Sequence, residues 1–282
     1  MDAVTALRAL VEWGADEALE AAPVGRLDVP RAAPAAALPV AAIDGPDPAA
    51  RPVAPPAMAP APVQLAMELA AAATDLAQLR AALAGFDGCA LSATATNLVF
   101  ADGNPDAGLV LIGEGPGADE DQQGKPFVGP SGRLLDKMLG SIGVDRSKCL
   151  ITNVIFWRPP GNRTPTDTEV AQCLPFMLRL LALTRPRLVV TLGKLATAAL
   201  SGQNQGIRRL RGHWLKLSAP GAAELGVAEG LSVLAMLHPA YLLRTPSARR
   251  EAWEDMLTLR AALEAGATKP DKGGSEGDFT NS

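Results

Sequence analysis

The sequence predicts an α/β fold in which a four-stranded parallel sheet is covered by helices on both faces. Three observations lead there. LVLIG (109–113), CLITNVI (149–155), RLVVTLG (187–193) and VLAMLHP (233–239) are short, β-branched-rich and nearly continuous in apolar character, as strands buried on both faces are. Helical patterns lie between them, near 131–142, 167–184 and 194–201, and another follows at 247–264. Strand and helix repeated in this order connect parallel neighbours by right-handed crossovers.

The elements run as follows. Val4, Leu7, Leu10, Val11 and Trp13 recur at roughly helical intervals, which predicts an amphipathic helix within residues 1–22, suited to docking on a protein partner. Residues 23–63 are dominated by Pro and Ala and keep no apolar period, so they read as an extended, disordered linker. The domain proper is expected over 64–264 and opens with a helix, QLAMELAAAATDLAQLRAALAG, stopped by Gly85. Thr166 and Glu169 form a capping box for the helix at 167–184, each side chain serving a free backbone N–H of the first turn. Residues 265–282 read as a disordered tail.

Charge is distributed unevenly over the 282 residues. Lys and Arg number 26 and Asp and Glu 30, for a formal net charge of −4, but the acid excess lies in the two ends and residues 64–264 are near neutral. From Lys194 to Arg250 the balance reverses: Lys194, Arg208, Arg209, Arg211, Lys216, Arg244, Arg249 and Arg250 face only Glu224 and Glu229. Such a local positive field suits a polyanion. Cys89, Cys149 and Cys173, an odd number at wide spacings, argue against a disulfide framework. The first twenty residues lack the basic and continuous apolar regions of a signal peptide and no run reaches membrane-spanning length, so a cytoplasmic location is expected.

In open parallel sheets, ligands sit beyond the carboxyl ends of the strands. After the first predicted strand comes GEGPGADEDQQGKPFVGPSGRLLDKML, a Gly-rich loop; near the end of the second is Asn153; after the fourth come His238 and Pro239. Singly, Gly-Pro-Gly is a turn, Asn153 a cap and His238 a structural histidine. Their convergence on one sheet edge is what points to a site. The loop is not a simple phosphate cradle, because Glu114, Asp119, Glu120 and Asp121 precede its first lysine and no Gly-Lys-Ser/Thr follows the glycines, which weakens a nucleotide-hydrolase reading.

These segments, with ITNVIFWRPPGNRTPT and LHPAYLLR, resemble the three signature regions of the uracil-DNA glycosylase superfamily, most closely its family four, over about residues 89–263. The resemblance implies a three-layer α/β/α sandwich that hydrolyses the N-glycosidic bond of uracil in DNA after flipping the base out, leaving an abasic site. It also names a site: Phe127 as the stacking platform, Asn153 reading the base edge, Gly115 in the loop beside the base, and His238 donating to the developing uracil oxyanion. Glu114 and Glu120 are the candidates to orient water and to stabilise the cationic sugar. Leu242 or Leu243 would be the apolar wedge that holds the base out, and Arg244, Arg208 and Arg211 would touch phosphates. The residues fit this chemistry: a flipped base needs an aromatic face and a fixed amide, and a leaving oxyanion needs a preorganised donor.

Two departures matter. Family four carries four cysteines for a four-iron four-sulfur cluster; here only Cys89 and Cys173 match, Phe86 and Trp157 stand at the other two positions, and Cys149 falls at no ligand spacing. Two thiolates do not make a four-ligand set, so no iron-sulfur cluster and no other cofactor is expected. Gly115 stands where relatives have alanine or a water-activating aspartate, which leaves any general base open between Glu114, Glu120 and neither. With only His213 and His238 in the chain and none in RPPGNRTPTDTEV, the covalent-trap branch of the superfamily is not the expected chemistry. The expected partner is uracil-containing DNA, single- or double-stranded, bound by a monomer; the alternative is a noncatalytic module that binds uracil-containing or abasic DNA.

Overall fold

The computed structural model describes residues 62–267. The helix expected within 1–22 lies outside the described residues, as do the linker and the tail apart from 62–63 and 265–267, which belong to the first and last described helices.

The four expected strands form as β2 (Leu109–Gly113), β3 (Leu150–Asn153), β4 (Leu188–Leu192) and β6 (Ser232–Met236), parallel to one another. The sheet has six strands among the described residues, not four. Its order is β1-β3-β2-β4-β6-β5, with β1 (Ala101–Gly103) and β5 (Trp214–Lys216) antiparallel at the two edges. Three residues each are too few to show a period, and Ala-Asp-Gly contains two strand-poor residue types, so neither edge was legible.

Expected helices appear as α4 (Pro130–Ser141), α5 (Asp167–Thr184), α6 (Lys194–Ser201) and α9 (Arg249–Ala267). The opening helix is instead two, α1 (Pro62–Ala72) and α2 (Leu76–Ala84), because the Asp75 side chain takes the Gln78 N–H at 2.8 Å and starts a new helix there. Short helices α3 (Ala118–Gln123), α7 (Ile207–Leu210) and α8 (Pro239–Arg244) complete the described set. The capping box of α5 forms as expected, with Glu169 N–H donating to Thr166 Oγ1 at 3.2 Å and Thr166 N–H to Glu169 Oε2 at 2.8 Å.

Alternate strand residues face opposite layers. Val110, Ile112, Val189 and Val233 pack with Ala66 and Ala70 of α1, Leu79 and Leu83 of α2, Phe176 and Leu180 of α5 and Leu200 of α6. Leu109, Leu111, Val190, Leu192, Leu234 and Met236 pack on the other face with Leu135 and Leu139 of α4 and Met256 and Leu259 of α9. Each of these side chains larger than alanine contributes about 1.5–3 kcal/mol by leaving water, so two dry interfaces rather than helix propensity hold the three layers. Gly113 pairs with Asn153, and Leu192 with Met236, so the strands end nearly level. The residues that follow them therefore meet at one edge.

Candidate active site

At that edge lies a cavity of about 420 Å³ whose lining includes Glu114, Gly115, Glu120, Phe127, Asn153, His238 and Arg244. Seven residues named from three separate sequence blocks are brought together. Of the remaining candidates, Leu242, Leu243, Arg208 and Arg211 do not line it.

The Asn153 amide and the Phe127 ring close in on position 113 because it has no side chain. A Cβ on Gly113 would lie 2.4 Å from Asn153 Oδ1 and 2.5 Å from Phe127 Cζ, so any other residue would fill the gap between amide and ring. Asn153 is 1% exposed, and its Oδ1 is the buried side-chain polar atom left without a hydrogen-bond partner among the described residues. Such an orphan acceptor costs about 1–3 kcal/mol until something donates to it. Main-chain bonds from Val154 N–H to Gly113 O and from Ile155 N–H to Glu114 O, both 3.0 Å, tie the two strand ends together beneath it. A methyl at Gly115 would stand 3.3 Å from Ile155 Cβ on the same seam.

Phe127 is buried, and its ring centroid lies 5.6 Å from that of His238 with an interplanar angle of 29°, so the two rings form adjoining walls. His238 caps α8: its Nδ1 accepts the Ala240 N–H at 3.1 Å. The neutral ring therefore carries its proton on Nε2. Burial, with the nearby charge of Arg244, lowers its pKa to about 4, so at neutral pH the ring is an uncharged N–H donor.

The acidic loop residues separate by what they touch. Glu114 lines the cavity, and burial raises its carboxyl above the ordinary range. Glu120 also lines it, but its oxygens accept three backbone N–H groups, Gly117 at 3.1 Å, Val128 at 3.0 Å and Gly129 at 2.8 Å, clasping the two ends of the loop. Asp121 Oδ1 accepts from Thr96 N–H at 2.8 Å and Asn97 N–H at 3.1 Å. Two of the four carboxylates that looked excessive in sequence, Glu120 and Asp121, are thus spent on backbone donors.

Corrections concern the DNA-facing residues. Leu242 is 1% exposed and packed with Leu237, Ala248 and Ala252, so it is core and not a wedge; its neighbour Leu243 is 41% exposed. Arg211 is committed internally: it pairs with fully buried Asp255 at 2.6 and 3.0 Å and donates to the Glu251 carbonyl, so its Nε and Nη2 are engaged within the fold. Arg208 pairs with Glu251 while remaining well exposed. Arg244 is exposed at the rim.

Sequence reasoning gave no role to Ser131, Asn162, Arg163, Thr164, Pro165 or Tyr241, which also line the cavity. Residues 159–165 supply one wall, held by Arg163 on Glu169 at 2.6 Å; that pairing draws the Glu169 carboxyl down to about 2. The Pro-Pro-Gly-Asn turn, separated by five residues from the second parallel strand, was the available signal.

Away from the cavity, Cys89 and Cys173 are fully buried in the same cluster as Phe86, Trp157, Phe156 and Phe176. A hydrogen bond from Cys173 lowers the Cys89 thiol to about 7, against the cost of burial, and the Cys173 thiol is held well above its usual value. Phe86 packs on Phe176 with centroids 5.2 Å apart. Among the described residues no three His, Cys, Asp or Glu side chains gather as a metal site. Two thiols engaged with each other beside two buried aromatic side chains do not fit a cluster that needs four thiolates.

A family model described as the uracil DNA glycosylase superfamily matches residues 100–257. The chain is 34% identical over 193 residues to the type-4 uracil-DNA glycosylase of Pyrobaculum aerophilum, covering 64% of this chain and 91% of that one. To the type-4 uracil-DNA glycosylases of Archaeoglobus fulgidus and Thermotoga maritima it is 39% and 38% identical, over 59% and 62% of this chain and 82% and 88% of theirs. A match of this extent, running through the strands and loops that build the cavity, makes this chain a member of the uracil-DNA glycosylase superfamily.

Proposed function

We propose that the chain is a DNA repair glycosylase: it takes uracil flipped out of DNA into the 420 Å³ cavity and hydrolyses its N-glycosidic bond, leaving an abasic site. The observation that carries the site assignment is the buried, partnerless Oδ1 of Asn153 facing the gap left by Gly113. Uracil N3–H satisfies that acceptor; cytosine offers an acceptor at the same place and is refused. Phe127 supplies the face on which the base stacks.

As the C–N bond breaks, its electron pair goes to the uracil ring, and the sugar gains positive charge. The neutral Nε2–H of His238 donates to the developing oxyanion, an interaction worth on the order of 3 kcal/mol in comparable sites. Glu114 is the carboxylate for the sugar side: it orients the water that adds to C1′, its negative charge offsets the cation, and the proton which that water releases neutralises the departing uracil anion. Glu120 acts through position, fixing the loop that carries Phe127. Leu243 is the wedge and Arg244 the phosphate contact beside it.

We further propose that this chain works without an iron-sulfur cluster, with Phe86 and Trp157 filling the space by packing. Iron analysis and the visible absorbance of anaerobically purified protein check this; stoichiometric iron and a brown colour would refute it.

The activity is tested with a uracil-containing oligonucleotide followed by alkaline cleavage. Wild-type protein is expected to cleave at uracil without added magnesium, and His238→Ala and Asn153→Ala to lose about a hundredfold or more in rate. DNA retention with no cleavage by the wild type would instead support the noncatalytic module.

A further inference from the structure

Phe127 has φ of 54°, in the left-handed region, one of three non-glycine residues with positive φ among those described. A bulky aromatic residue does not adopt that conformation unless its surroundings impose it. Two groups grip the chain there. On the far side of the peptide, Glu120 takes the N–H groups of Val128 and Gly129. On the near side, Arg146 donates through Nη2 to the Phe127 carbonyl and through Nη1 to the Pro126 carbonyl at 3.2 Å.

Arg146 is itself fixed. It lies in the turn between α4 and β3, and its guanidinium pairs with Asp102 of β1 at 2.7 Å and with Asp136 of α4 at 3.0 Å. The helix makes room for the gripped carbonyl: a Cβ on Gly132 of α4 would lie 1.8 Å from Phe127 O. None of these groups except Glu120 lines the cavity.

We propose that Arg146 is the positioning residue of the stacking platform, holding the Phe127 ring in the base pocket through its main-chain carbonyl. The inference rests on Phe127 being the platform, and it extends the site by a residue that never touches the base. Only a planar fork reaches two carbonyls and two carboxylates together; a lysine ammonium is a point donor and does not reproduce the set.

The test uses the full chain with Arg146→Lys and Arg146→Met, each in the wild-type and Phe127→Ala backgrounds, and reads single-turnover uracil release. In the wild-type background a loss of tenfold or more is expected, with Met at least as severe as Lys. In the Phe127→Ala background the same substitutions are expected to change the rate less than twofold, since the ring they position is gone. Asp102→Asn, at the remote end of the clamp, serves if Arg146→Met does not fold, and is expected to lower the rate in the same background-dependent way. A fluorine-labelled phenylalanine at 127 reports the ring directly: one sharp resonance in the parent, shifted or split when Arg146 is replaced. Equal losses in both backgrounds, or an unchanged resonance, would overturn the clamp. If Phe127→Ala keeps full activity, the stacking role falls, and the resonance still decides whether Arg146 sets the ring.

Discussion

His238 shows how one side chain acquires a role through its neighbours. An exposed histidine titrates near 6.5, but here burial and Arg244 lower the value to about 4, and the Nδ1 bond to Ala240 assigns the donor hydrogen to Nε2. Glu114 moves the other way, raised by burial, and acts as a carboxylate only when ionised. The rate of uracil release should therefore fall with acid on a limb set by Glu114, above the ordinary glutamate value, while the His238 ring stays neutral until about pH 4. Glu114→Gln should lower the rate and remove that limb, as a pH-rate profile under single-turnover conditions will show. Stability follows a separate sign. Unfolded histidine takes its proton near 6.5 and the folded one only near 4, so His238 lowers stability as pH falls through that window and leaves it unchanged above. Urea melts of His238→Gln against the parent, at pH 7 and pH 5, should show the gap between them narrow at the lower pH.

At the scale of elements, α8 separates two leucines that are adjacent in sequence. A helix turns about 100° per residue, so Leu242 enters the cluster with Ala248 and Ala252 while Leu243 faces outward. Leu243→Ala should leave the melting temperature unchanged and reduce activity on double-stranded more than on single-stranded uracil DNA, because only a duplex base must be pushed out. Leu242→Ala should instead destabilise the fold by about 2–5 kcal/mol, as buried leucine truncations do. Equal behaviour of the two in a thermal melt would contradict this division. The LHPAYLLR block placed both leucines near the site, but the choice between them needed the helix direction and the position of α9, which no local pattern contains. For the same reason the sheet's inner four strands were legible from their apolar runs, and its two edge strands were not.

The whole molecule carries a net negative charge, while the stretch from Lys194 to Arg250 holds eight basic residues against two acidic ones. Its arginines are not equivalent. Arg244 stands exposed at the rim, whereas Arg211 is sealed against Asp255 and joins the segment after α7 to α9. Arg244→Ala should weaken DNA binding and reduce the slope of log affinity against log salt by about 0.9, the share of one phosphate contact on duplex DNA. Arg211→Ala should leave that slope alone and cost about 3–5 kcal/mol of stability by stranding a buried carboxylate. Binding titrations across a salt series, with a denaturant melt of each variant, separate the two.

The alternation of the inner four strands with helices, and the sheet edge where Glu114, Asn153 and His238 gather, follow from the sequence alone, because apolar period and strand-end position are local properties; Phe127 was named by the family resemblance. Which acids are spent on backbone N–H groups, which leucine is core, which arginine is locked, and what holds Phe127 in a left-handed conformation are settled only by the tertiary structure. Each of those depends on partners outside the local segment, some of them, as for Asp121, Arg146 and Arg211, 19 to 44 residues away, and burial and hydrogen-bond satisfaction are properties of the assembled fold.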